Sequence, residues 1–324
     1  MNVRRLIPAT AVAGASALVL VSLSACSGAS SAADGKESGK LDVVASFYPL
    51  QYLAEQIGGD HVAVTTLTKP GVEPHDLELK PRQASQLRRA DFVLYLRGVQ
   101  PAVDEAIKQS GVEHTVDAAK LTTLEAHGTS AGHIDGHDHG HDAGEHAEQE
   151  GAADPHIWLD PVKYAEVAKG VGTSLAAADP THAADYRKNT DALVAKLNGL
   201  DATFQQGLKN TATKTFITTH AAFGYLAERY GLEQEGIAGV DPESEPSPAR
   251  IKELQTVAAK DGVTTVFFET LASGKTAQTL AKDAGLKTDV LDPIEGITER
   301  SRGRDYLAVM ESNLAALQKA LGAK

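Results

Sequence analysis

Short apolar segments alternate with helix-like segments along most of the 324-residue chain, and this alternation limits the possible folds more than any other feature. The apolar runs that we interpret as strands lie at 42–47, 61–67, 91–98, 113–119, 214–220, 233–239, 263–269 and 287–293. Strands that alternate with helices form parallel βαβ units with right-handed crossovers and helices on both faces. The sequence therefore predicts an α/β protein with mostly parallel sheets.

One predicted helix is too long to be an ordinary crossover between two strands. Its apolar residues recur at steps of three, four and seven, which places them on one face; they are Tyr186, Leu193, Leu197, Leu200, Phe204 and Leu208. Residues 180–210 would span roughly 40 Å as a helix. This length favours two α/β lobes, at 41–179 and 211–324, joined by the helix. The alternative is one continuous doubly wound sheet.

The first 40 residues are predicted to lie outside the fold. Arg4 and Arg5 precede an apolar run that ends in LSAC at residues 23–26, as in a secretory signal peptide. The single cysteine, Cys26, stands where the lipobox of bacterial lipoproteins carries its lipidated cysteine. We therefore expect a signal peptide at 1–25, lipidated Cys26, a flexible tether at 26–40, and an extracytoplasmic protein anchored to the membrane. The alternative is an ordinary signal peptide that happens to contain a cysteine.

The charge balance argues against one class of partner. The formal net charge is −12, with 43 acidic and 31 basic residues. A protein that binds nucleic acid needs a basic face to neutralise phosphates, so we expect no nucleic-acid partner. An acidic protein is compatible with a cationic ligand.

Residues 125–153 interrupt the alternation of strands and helices. The segment includes GHIDGHDHGHDAGEH and has almost no large apolar residue, so we expect a disordered loop. Its histidines are candidate ligands for weakly bound accessory metal: His127, His133, His137, His139, His141 and His146. Such a loop has no scaffold to fix a selective site. The alternative is a solvated tract with no role in metal binding.

Better candidates for a tight metal site lie at predicted strand ends and beside the loop. His75 follows a strand, His220 ends the strand at 214–220, His156 follows the loop in DPHIWLDP, and Asp292 follows residues 287–291 of the last strand. Ligands of open α/β sheets bind beyond the carboxyl ends of the strands. Three imidazoles and one carboxylate can form a tetrahedral zinc site, whereas calcium and magnesium prefer oxygen ligands.

Nearby carboxylates could orient these imidazoles by hydrogen bonding to the ring nitrogen that does not bind the metal. The candidates for this role in the sequence are Glu73, Asp154 and Asp160. A histidine that binds metal through one ring nitrogen usually donates its other N–H to a carboxylate, a carbonyl or water. We expect such contacts around the metal-binding histidines.

Four motifs resemble, in order and spacing, those of the solute-binding proteins that serve zinc and manganese ABC importers. They read EPHDLELKP, DPHIWLDP, THAAFGYLAERYGL and LDPI, and the resemblance covers nearly all of residues 41–324. It implies two α/β lobes bridged by a long helix, with metal in the cleft held by His75, His156, His220 and a carboxylate. Asp292 matches the aspartate of the second lobe, while Glu73 and Glu269 are alternative fourth ligands.

The resemblance implies a monomeric lipoprotein that captures Zn²⁺ and delivers it to an ABC permease, without catalysing a reaction. A histidine at position 220 favours zinc, because manganese-type members tend to have a carboxylate there. A manganese-import protein or adhesin on the same fold is one alternative. Another is a zinc hydrolase with Glu73 or Glu269 as general base, although the sequence contains no HExxH motif.

Overall fold

The computed structural model describes residues 39–127 and 153–324. The predicted signal peptide, Cys26, nearly all of the tether and five of the loop histidines (His133, His137, His139, His141 and His146) lie outside these residues. Within them, no helix combines the length and the apolar character needed to cross a lipid bilayer.

The first lobe contains four parallel strands in the order β2-β1-β3-β4. The strands are β1 (Leu41–Ala45), β2 (Val62–Thr66), β3 (Phe92–Tyr95) and β4 (His114–Asp117). The helices between them are α1 (Tyr48–Gly58), α2 (Pro81–Arg89) and α3 (Pro101–Ser110). Proline at the first turn of α2 and α3 suits helix initiation, because its missing N–H would have no partner there.

Two long helices follow the first sheet. Helix α4 (Pro161–Ala178) is capped by Asp160, and α5 (Ala183–Gly207) has 25 residues, about 38 Å at 1.5 Å per residue. The predicted stripe of α5 is buried from Tyr186 to Phe204, so this prediction is confirmed. The helix begins at Ala183, slightly later than predicted, because residues 180–182 form a 3₁₀ turn that starts with proline.

The second lobe repeats the strand order of the first, as β6-β5-β7-β8, and all its pairs are parallel. The strands are β5 (Thr215–Thr218), β6 (Glu233–Gly236), β7 (Thr265–Phe268) and β8 (Lys287–Val290). The helices are α6 (Gly224–Tyr230), α7 (Pro248–Asp261), α8 (Lys275–Ala284) and α9 (Tyr306–Leu321). Two separate sheets confirm the two-lobed prediction, and the single-sheet alternative is wrong.

The lobes share one hydrophobic core. Neighbouring residues of β1 point to opposite faces of the sheet, so Val43 joins the large core between the lobes and Val44 joins a smaller outer cluster. Hydrogen bonds also cross between the lobes. The indole of Trp158 donates to the carbonyl of Pro293 at 2.7 Å, and the hydroxyl of Tyr306 donates to the carbonyl of Trp158 at 2.6 Å. These contacts hold the two lobes in a fixed arrangement around the cleft.

Candidate metal centre

Four side chains from four separate segments meet in the cleft. His75 lies in the loop between β2 and α2, and His156 immediately precedes the 3₁₀ turn at Ile157–Leu159. His220 closely follows β5, and Glu295 lies in the loop between β8 and α9. We call these four residues the central group. Three of them follow the carboxyl ends of parallel strands, where open α/β sheets bind ligands.

Four of the distances between donor atoms of the central group are close to those in a tetrahedral metal site. The Oε1 atom of Glu295 lies 3.2, 3.4 and 3.6 Å from the Nε2 atoms of His75, His156 and His220, in that order. The Nε2 atoms of His156 and His220 are 3.4 Å apart. Zinc bonds of about 2.0–2.1 Å in a tetrahedron correspond to ligand–ligand distances of about 3.3–3.4 Å. These distances therefore fit one small cation at the centre.

The central group is shielded from water and carries opposing charges. The side chains of His156, His220 and Glu295 are fully buried, and that of His75 is 10% exposed. Burial disfavours ionised Glu295, but hydrogen bonds from the three imidazoles hold its pKa well below the ordinary value. Burial likewise lowers the pKa of His220, but the carboxylates of Glu269 and Glu295 raise it well above its usual range.

Two carboxylates fix the orientation of two of the imidazoles. Asp154 Oδ1 lies 2.7 Å from Nδ1 of His156, and Glu269 Oε1 lies 2.7 Å from Nδ1 of His220. Each contact occupies the nitrogen that faces away from the cleft, so Nε2 is left to face a metal. Glu269 also accepts a hydrogen bond from Thr219. Asp154 and Glu269 therefore hold the imidazoles in orientation and do not belong to the central group.

The structure does not place Asp292 in the central group, although the sequence favoured it as the fourth donor. Its Oδ1 atom accepts the backbone N–H of Ile294 at 2.8 Å, and its Oδ2 atom accepts the hydroxyl of Thr270 at 3.0 Å. Its backbone is held on both sides by the side-chain amide of Asn313. The carboxylate is thus used within its own turn, and Glu295, three residues later, takes the position expected for Asp292.

The turn that presents Glu295 is unusual. Ile294 is fully buried and has a φ of 61°, which makes it the one non-glycine residue with positive φ in the described ranges. A β-branched residue in this conformation is strained and persists only when its surroundings impose it. Here the N–H of Ile294 is held by Asp292 and the preceding carbonyl by Trp158. The strained turn therefore directs Glu295 into the cleft.

The other two predicted carboxylates lie near the histidine motifs without contacting an imidazole of the central group. Glu73 Oε1 accepts the backbone N–H of His75 at 3.2 Å. Burial and the nearby charge of Glu295 raise the pKa of Glu73 to about 9. Asp160 accepts the N–H of Val162 at the start of α4 and pairs with Arg229. Asp160 therefore serves as a helix cap and not as a neighbour of the metal centre.

The loop histidine that the structure describes, His127, lies at a second cluster. Its ring is grouped with the carboxylates of Glu125 and Glu228, which are nearer the protein surface. Glu228 belongs to α6 and lies within the THAAFGYLAERYGL motif. Neither glutamate was identified from the sequence. Glu228 gives no local signal, because its contact with His127 joins residues 101 positions apart.

Comparison with known proteins identifies the family. The sequence matches the family described as zinc-uptake complex component A, periplasmic, over residues 43–320. It is 38% identical over 310 residues to the high-affinity zinc uptake system protein ZnuA of Bacillus subtilis strain 168, covering 95% of both chains. It is 36% identical over 286 residues to the zinc-binding lipoprotein AdcA of Streptococcus pneumoniae, covering 87% of this chain. It spans only 56% of AdcA's length.

A solved structure supports the same relationship. The Zn(II)-bound ZnuA-like domain of Streptococcus pneumoniae AdcA has a TM-score of 0.71 and 34% sequence identity, and the match covers 87% of this chain and 99% of that domain. The TM-score shows that this chain and the ZnuA-like domain share a fold. The chain therefore belongs to the family of zinc-uptake complex component A.

Proposed function

We propose that this protein captures Zn²⁺ outside the cytoplasm and delivers it to an ABC-type importer. The observation that carries the proposal is the central group, in which three buried imidazoles and one carboxylate have the spacing of a tetrahedral zinc shell. The relatives named as zinc-binding and zinc-uptake proteins support the same reading.

The fourth ligand in this proposal is Glu295, and His75, His156 and His220 are the other three. Asp292 acts indirectly, because it holds the turn from which Glu295 projects. Asp154 and Glu269 orient two imidazoles from behind. The donor set favours zinc over manganese, since manganese sites are richer in oxygen ligands.

Four protein donors leave no coordination position for an activated water molecule, which a zinc hydrolase requires. We therefore propose a binding protein without enzymatic activity. Capture involves a largely preformed cleft, because the shared core and the hydrogen bonds between the lobes resist a wide hinge motion.

The predicted segments outside the lobes complete the proposal. A signal peptide at 1–25 is removed, Cys26 is lipidated, and a tether at 26–40 holds the monomer on the outer face of the membrane near its permease. The folded part comprises lobes at 41–179 and 211–324 and the linking helix at 180–210, with the His-rich loop at 125–153. Membrane fractionation tests the anchor: Cys26→Ser should release the protein into the soluble fraction.

A crystal of the zinc-loaded protein, with anomalous data at the zinc edge, tests the central proposal directly. We expect one strong peak bonded to His75, His156, His220 and Glu295. A peak bonded to Asp292, or an open coordination position that faces a substrate pocket, would contradict it. Competition between Zn²⁺ and Mn²⁺ for the metal-free protein separates a zinc carrier from the manganese-import alternative.

A further inference from the structure

His127 is held in a socket that the fold builds around it. Its ring packs edge-on against Tyr225, with the ring centroids 4.3 Å apart, and its side chain is only 18% exposed. Gly224 forms the base of this socket, because a Cβ atom there would lie 2.4 Å from the Cβ of His127. A histidine in a solvent-exposed loop would not require a residue without a side chain at position 224. The position of this ring is therefore defined by the second lobe.

Both ring nitrogens of His127 face carboxylates. Nδ1 lies 3.0 Å from Oδ2 of Asp154, and Nε2 lies 3.0 Å from Oε2 of Glu228. An imidazole that donates its Nδ1 proton to Asp154 has a lone pair at Nε2, which then faces Glu228. Glu125 lies in the same cluster. A lone pair and two carboxylates in one place are stabilised by a shared cation.

We propose that Glu125, His127 and Glu228, the outer group, bind a second divalent transition-metal ion, more weakly than the central group. One imidazole and two carboxylates suit zinc and its neighbours. This inference rests on the proposed function, because it assumes that the central group is the tight site. It differs from weak binding by the histidine tract alone, since Glu228 comes from α6 in the second lobe and His127 is fixed in a socket.

Asp154 connects the outer group to the central group. Its Oδ2 atom contacts His127, while its Oδ1 atom contacts Nδ1 of His156. The carboxylate is fully buried, and the hydroxyl of Tyr225 fixes its backbone carbonyl at 2.8 Å. One carboxylate thus orients a ligand of each site. Substituting it should disturb both sites, whereas substituting Glu228 should disturb only the outer one.

Lys163 explains why the outer group is the weaker site. Its ammonium lies 2.8 Å from Oε1 of Glu125 and 5.0 Å from the ring centroid of Tyr225. A metal ion must share Glu125 with this positive charge, and Coulomb repulsion opposes its entry. Lys163→Met should therefore tighten the outer site by roughly two- to fivefold, the range of one partly exposed charge pair.

The test uses the full chain in which His133, His137, His139, His141 and His146 are changed to Ser, so that the tract contributes no imidazole except His127. Titration with Zn²⁺ against a competing chelator should give one tight and one weaker equivalent. Glu228→Gln and His127→Gln should each remove the weaker equivalent and keep the tight one. Asp154→Asn should weaken the tight equivalent as well, by roughly 10- to 100-fold.

Control variants distinguish a failure of the outer-site inference from a failure of the proposed function. His114→Ala, at a histidine of β4 outside both groups, should change neither equivalent, and His220→Ala should remove only the tight one. A single equivalent in the parent chain, or a weaker equivalent that survives Glu228→Gln and His127→Gln, would overturn this inference and leave the proposed function intact. Loss of the tight equivalent from the parent would instead overturn the proposed function.

Discussion

The central and outer groups use similar donor atoms but hold them in different surroundings. The central donors are fully buried except for His75, whereas Glu228 of the outer group is 62% exposed and Glu125 is paired with a lysine. Attraction between charges is weak and screened in water and much stronger in a buried cleft. Burial and fixed orientation, more than the number of histidines nearby, therefore set the affinity that we expect of each group.

Removing one imidazole of the central group should have the largest effect on zinc binding, because it removes the difference in affinity between the central and outer groups. We expect His220→Ala to lower the affinity for zinc by on the order of 100-fold or more, because a total binding free energy of about 10–16 kcal/mol is shared by about four ligands. A chelator-competition titration measures the change. Zinc should then raise the thermal midpoint of the variant far less than that of the parent. An unchanged affinity would show that zinc binds elsewhere.

Asp292 and Glu295, both in the loop between β8 and α9, can be compared directly to find which carboxylate binds zinc. Glu295→Gln should weaken zinc binding strongly, because it removes the charged donor from the cleft. Asp292→Asn keeps the donors but disturbs the turn, so it should mainly lower the free energy of unfolding, by about 1–3 kcal/mol. Zinc titration and urea unfolding of the metal-free protein give the two values for each variant. The reverse pattern would restore Asp292 as the ligand.

These two residues also show how far the sequence predicts the structure. Strands, helices and the three histidines are local features, readable from periodicity and from positions at strand ends. The direction of the Glu295 turn is not local. It depends on the left-handed conformation of Ile294 and on the indole of Trp158, 135 residues before the carbonyl that it holds. The one local sequence signal for this turn is an acidic residue beside a glycine, in the segment IEG at residues 294–296.

Acidification should weaken zinc binding at the central group. Burial alone lowers the pKa of His156 and of His220, but the adjacent carboxylates raise both above their usual value. Imidazoles must lose their protons to bind metal, so a raised pKa means that protons compete already above about pH 6.5. Affinity should therefore fall continuously as pH decreases from 8 to 5. Calorimetry in buffers with different ionisation enthalpies should detect released protons, and a flat profile would contradict a three-histidine site.

Substituting Glu73 should have the smallest effect on zinc affinity. It should raise the stability of the metal-free protein, whereas Asp292→Asn should lower it. Burial and the charge of Glu295 raise its pKa to about 9, so it is protonated in the folded, metal-free protein at pH 7 but ionised after unfolding. Folding then requires proton uptake, and this cost grows as pH rises from about 4.5 towards 9. Glu73→Gln removes the cost and should stabilise the metal-free protein by up to about 3 kcal/mol at pH 7. Urea unfolding at several pH values measures the gain, which should vanish near pH 4.5. A gain independent of pH would contradict the raised pKa of Glu73. A loss of zinc affinity as large as that of Glu295→Gln would place Glu73 among the ligands instead.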